Sequence, residues 1–140
     1  MSYLPSGTPL PQPVPDDQPY WDFVSRRDLR IQRCADCERF RHPPMPFCPA
    51  CRSSRIEWVQ VPGRGTVYSY TIVHHAAHPA LKDALPYNVA VVHLDEAGDV
   101  RLVSNVIDAA PEEMAIGLRV LLCWDDTAEG VPLPRFRKAA

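Results

Sequence analysis

Four of the five cysteines lie in the single run CADCERFRHPPMPFCPAC, as the pairs Cys34/Cys37 and Cys48/Cys51 with ten residues between them. A Cys-x-x-Cys turn directs two thiolates at one point. Two such turns facing each other present the four sulfurs of a tetrahedral Zn²⁺ site, and the spacing suits a pair of knuckles on a small ribbon. Pro43, Pro44, Pro46 and Pro49 stiffen the connection, which lowers the chain entropy lost on closure. Two disulfides or four free core thiols are the alternatives, but nothing else in the chain points to an oxidising compartment. A thioredoxin-like redox pair fits less well, because two matched motifs supply a metal's full ligand set. Four thiolates leave no open coordination position, so the expected zinc is structural, a staple for a module too small to hold itself together. His42 is a spare ligand that the better-spaced thiolates make unnecessary.

At 140 residues, 46% of them hydrophobic, the chain has room for one ordinary core beside such a module. No apolar run approaches the length of a membrane span. The start, MSYLPSGTPLPQ, lacks the basic and apolar regions of a signal peptide, so the expected location is cytoplasmic. The net charge of −2 conceals an asymmetry. Nine arginines and five acids occupy residues 20–66, ten acids and three basic residues occupy 67–134, and Arg135, Arg137 and Lys138 close the chain. A basic half favours an anionic partner such as nucleic acid, a phosphorylated cofactor or an acidic protein face. A solvated arginine surface is the plainer alternative.

Residues 4–19 contain six prolines and almost no core formers, so residues 1–18 are expected to be a proline-rich disordered arm. Pro19 suits the first turn of a short helix carrying Tyr20, Trp21, Phe23 and Val24. So many aromatics on so short a helix cannot all face its own core, which makes Tyr20, Trp21 and Phe23 a candidate docking patch. Leu29 and Ile31 lead by a strand into the first knuckle, and Ile56–Val61 is the strand that closes the ribbon. Residues 19–61 thus form the helix and zinc ribbon. The Pro62–Gly65 turn marks the boundary to 62–140, expected to carry a separate core. There the pattern is β. Thr66–His74 alternates, with Val67, Ser69, Thr71 and Val73 on one face and Tyr68, Tyr70 and Ile72 on the other. Tyr87–Leu94 is almost continuously apolar. A hairpin turn at 96–99, a strand over 100–107, a helical turn at Pro111 and strands over 118–125 and 131–137 follow. Five short strands with one helical turn before the fourth predict a mainly β fold: an N-terminal helix and Cys₄ ribbon followed by a five-stranded OB-fold barrel. A β-sandwich would normally call for more strands.

The aromatic helix, LRIQRCADCERFRHPP, CPACRSSRIEW and GRGTVYSYTIVH resemble the zinc-ribbon/OB-fold family first catalogued as domain of unknown function 35. PYNVAVVHLDE, Ile116–Val120 and the closing LPRF extend the likeness over roughly residues 19–137. Glu38 and Arg52 depart from the pattern, standing where the family often has a glycine after each cysteine pair. The resemblance implies a non-catalytic accessory subunit of thiolase-like enzymes acting on acyl-CoA: thiolases, acyltransferases or steroid side-chain aldolases. It implies further that the helix and ribbon contact the partner while the barrel helps accommodate the CoA thioester. For the CoA contacts, Tyr70 and Phe136 offer aromatic faces for the adenine, and Arg135 and Arg137 offer charge for the phosphates.

No catalytic constellation is apparent. His74, His75 and His78 lack the spacing of a metal motif, Ser69 and Ser104 have no recognisable base, and Glu112 and Glu113 suit a helix start. Cys123 is the one cysteine outside the ribbon, in the apolar run Val120–Trp124, where burial raises a thiol's pKa. Two other classes of function stay open at this point. One is a single-stranded nucleic-acid binder built on barrel aromatics and arginines. The other is an autonomous thioesterase or acyltransferase.

Overall fold

In the computed structural model, which describes residues 2–139, the chain forms one short helix and eight strands in two sheets. Helix α1 (Gln18–Ser25) starts on Pro19, with the Asp17 carboxylate taking the N–H of Val14 at 2.7 Å. It stops where Arg27 turns left-handed, φ 56°, and the N–H groups of Arg27 and Asp28 return to the carbonyls of Val24 and Phe23. That closure caps the helix as a glycine usually does. Tyr20 and Val24, four residues apart on one face, are buried.

The ribbon sheet has β1 (Arg30–Cys34) at its centre, between β2 (Phe40–Arg41) and β3 (Ile56–Gln60), all antiparallel. The second sheet holds β4 (Arg64–Val73), β5 (Tyr87–Leu94), β6 (Arg101–Ser104), β7 (Arg119–Asp126) and β8 (Pro132–Lys138), in the order β6-β5-β4-β7-β8. Its two edges meet through a parallel contact of Val106 with Phe136, where Ile107 N–H reaches the Phe136 carbonyl at 2.8 Å. The curled sheet is the expected OB-fold barrel. Phe136 at its centre is fully buried with Val67, Val92, Val106 and Val120 around it.

Two readings of the sequence change. Strand β4 does not alternate evenly, because a β-bulge between Val67 and Ser69 leaves Tyr68 as the extra residue. An odd insertion flips everything beyond it. Tyr70 and Ile72, opposite Ala90 and buried Asn88, therefore share the inner face with Val67, and Ser69 and Thr71 turn outward. Nor does the barrel have a core of its own. Tyr20 and Val24 of the helix and Leu29 and Ile31 of the ribbon belong to the same apolar cluster as the barrel valines.

The arm has no helix or strand over 2–15 but lies against the barrel. Tyr3 N–H donates to the buried Asp125 carboxylate at 3.2 Å, and Gly7 N–H to Glu129 at 2.9 Å. Among the described residues no helix is long and apolar enough to cross a membrane.

Candidate metal centre and the surfaces around it

Each cysteine pair forms the same backbone device. In the first, Glu38 N–H returns to the Cys34 carbonyl at 3.0 Å and Cys34 N–H to the Arg39 carbonyl at 2.9 Å. In the second, Arg52 N–H meets the Cys48 carbonyl and Cys48 N–H the Ser53 carbonyl, both at 2.9 Å. Both turns need a left-handed residue just after the pair, supplied by Glu38 at φ 63° and Arg52 at φ 66°. Those are the two places where glycine is the easy choice. The turns bring all four sulfurs within 4.8 Å of one another, with Cys34–Cys51 and Cys37–Cys48 each 3.5 Å apart. Zn–S bonds of about 2.3 Å set tetrahedral edges of about 3.8 Å, so the cluster fits the ion.

The inner and outer sulfurs differ. Cys34 and Cys48 are buried, and Cys37 and Cys51 are exposed. Backbone N–H groups at Cys51 and Ala50 bring the Cys48 thiol down to about 6, and the Cys37 N–H lowers Cys34 in the same way. Cys37 and Cys51 also meet N–H groups, at Arg39 and Ser53, yet the neighbouring sulfurs push both upward. Four thiols crowded together resist losing four protons, and a dication removes the conflict because it pairs with every thiolate at once. Outside the cluster, Asp36 ties the knuckles together by accepting from both Ser53 and Arg55.

Beside the ribbon, the aromatic helix divides. Tyr20 is 3% exposed, packed edge-on to Trp21 with ring centroids 5.1 Å apart and against His42 at 5.0 Å. It belongs to the core rather than to a docking surface. Trp21 and Phe23 are half-buried; Phe23 lies 5.8 Å from Trp58, with the guanidiniums of Arg26 and Arg30 over its ring at 5.2 and 5.1 Å.

Comparison with known proteins decides the family. Residues 21–57 match the family of the ChsH2 rubredoxin-like zinc ribbon domain, and residues 58–125 that of the ChsH2 C-terminal OB-fold domain. The chain belongs to the DUF35 family. A DUF35 domain-containing scaffold protein of Methanocaldococcus jannaschii is 35% identical over 71% of this chain and 70% of its own length. A probable enoyl-CoA hydratase alpha subunit of Thermomonospora curvata is 44% identical over 88% of this chain, which spans only 38% of that protein's length. The solved structure titled Ltp2-ChsH2(DUF35) aldolase superposes with a TM-score of 0.85 at 41% identity, covering 94% of this chain and all of that one.

This DUF35 chain does not gather the four CoA candidates into one place. Phe136 is fully buried in the barrel core. Arg135 is pinned to the Asp125 carboxylate at 3.2 Å and to Asn105 at 2.6 Å. Arg137 is exposed and stands in register with Leu121 and Arg64, whereas Tyr70 is six residues further along β4. The remaining candidates have structural work. His78 Nδ1 accepts the Ala80 N–H at 3.1 Å, starting the helical turn Pro79–Ala84. Ser104 donates to the Pro134 carbonyl across the barrel seam, and Glu113 accepts the Ala110 N–H. Cys123 is half-buried, with burial raising its thiol. Two residues passed over in the sequence stand out. Asn88 bonds both the carbonyl and the N–H of Val106, and Arg41 is an arginine only 6% exposed. Neither has a pattern signal, because a lone polar residue in a strand is ordinarily outward.

Proposed function

We propose that the chain is a non-catalytic accessory subunit that binds a thiolase-like enzyme and helps it accommodate an acyl-CoA. The observation that carries this reading is the end-to-end likeness to the DUF35 chain of the Ltp2-ChsH2 aldolase, ribbon and barrel together. The half-buried Trp21 and Phe23, flanked by Arg26 and Arg30, have the composition of an interface anchor. The separation of the chain's own candidate groups argues the same way. His93 lies two strands across and four residues along from Cys123, roughly 15 Å, too far to activate it.

A second reading, service to an acyl-CoA hydratase, is favoured by the likeness to the T. curvata hydratase alpha subunit. Co-expression with thiolase-like and with hydratase-like chains, followed by purification and assay on an acyl-CoA, separates the two. The thiolase-like chain is expected to co-purify and to make or cleave a carbon–carbon bond. Stable capture of the hydratase chain alone, with hydration as the activity, would replace the first reading by the second. In the productive complex, Trp21→Ala with Phe23→Ala is expected to weaken association at least about tenfold. Unchanged affinity with the fold intact removes that patch from the interface.

A further inference from the structure

Between the edge of the ribbon and the β5–β6 hairpin lies a cleft of about 660 Å³. Its charged lining is Arg39, Arg41 and Arg101 against Glu38 and Asp99. None of these five has an oppositely charged partner within 4.0 Å among the described residues. Arg41 is the unusual one. It is 6% exposed, its Nη2 donates to the Met45 carbonyl at 3.0 Å, and its Nε and Nη1 meet no acceptor. A guanidinium out of water with most of its donors unused is destabilising unless an anion compensates it. Of the two rim arginines, Arg101 is oriented by another contact. Arg101 stacks over the Tyr68 ring at 4.0 Å, which leaves its N–H groups free at the ring's edge. Phe40, Pro43 and Val100 supply apolar wall between the charges.

We propose that this cleft binds the phosphate of a phosphorylated small molecule. Three guanidiniums outnumber the two carboxylates, and they present more N–H donors than a single carboxylate ligand can accept. A phosphate dianion offers three strong acceptors to the exposed rim arginines and the counter-charge that the buried Arg41 lacks. Arg39 and Arg101, being exposed, make the direct contacts, and Arg41 holds the wall of the cleft at positive potential. The volume suits a ligand of nucleotide size, with the apolar wall beside its uncharged part. The inference stands on these residues and not on the choice of partner enzyme.

The test is a titration of the zinc-loaded full chain with pyrophosphate, by calorimetry and by thermal unfolding, against chloride at matched ionic strength. Pyrophosphate is expected to bind and to raise the melting temperature. Arg39→Gln and Arg101→Gln, both surface changes, are expected each to weaken binding about tenfold. Arg41→Met fills the same space without the charge. It is expected to melt no lower than the parent in chloride and to lose the pyrophosphate-dependent rise. No heat and no shift in the parent chain overturns the proposal, and so does binding that is the same in both surface variants.

Discussion

Glu38 and Arg52 carry the one visible strain in the ribbon. Each occupies a left-handed position that the knuckle's hydrogen bonds dictate, and each pays the Cβ contact that glycine avoids. Glu38→Gly and Arg52→Gly are therefore expected to stabilise the zinc-loaded chain by about 0.5–1 kcal/mol apiece, less whatever glycine returns to the unfolded state. Urea denaturation of the two variants measures it, and a loss of stability in both would contradict the account of the turns. The metal ligands make a sharper case. Cys48→Ser is expected to abolish stoichiometric zinc, as read by metal analysis, and to cost more than the ~1–3 kcal/mol of an ordinary substitution. The ligands were legible from spacing alone, since a Cys-x-x-Cys turn has one geometry. The CoA candidates were not, because aromatic and basic residue types say nothing about which side of a strand they occupy. Tyr20 shows the same limit: its place in the core depends on which face of the helix the ribbon covers.

At the scale of elements, alternation and turn residues place four of the five barrel strands to within a residue or two, whereas the strand expected over 100–107 stops at Ser104, and the five follow in their expected order along the chain. What alternation could not supply is the bulge at Tyr68. A bulge leaves no mark in hydrophobic pattern when both faces of the strand carry tyrosines, and Tyr68 and Tyr70 do. Gly65 sets the start of that strand. A Cβ there would lie 2.6 Å from Val92 Cγ1 and 2.7 Å from the His93 carbonyl oxygen, and the backbone partner cannot swing aside. Gly65→Ala is expected to destabilise the protein by about 1–3 kcal/mol. Its far-ultraviolet spectrum should stay native at low temperature while its urea midpoint falls. A midpoint equal to that of the parent would mean that β4 and β5 have room to separate. The short pairing of β2 with β1 and the helical turn over Pro79–Ala84 had no sequence signal strong enough to show, being two and six residues long.

For the whole molecule, the decisive feature is the continuity of the core through helix, ribbon and barrel. A ribbon packed onto the barrel through Leu29 and Ile31 cannot unfold without exposing barrel valines, so metal removal should reach beyond the knuckles. Chelation is expected to lower the single melting temperature of the chain rather than to split it into a lost ribbon and an untouched barrel. Two separate transitions would restore the picture of independent cores drawn from the Pro62–Gly65 boundary. A continuous body with a half-buried aromatic and arginine patch suits an accessory subunit. The measurement that tests this most directly is turnover of an acyl-CoA by the co-purified complex carrying Cys123→Ala, beside the chain alone. The account predicts no turnover by the chain alone and a complex within a few-fold of the unmodified one. A folded, assembled Cys123→Ala complex that has lost several orders of magnitude of activity, or steady turnover by the isolated chain, would contradict it.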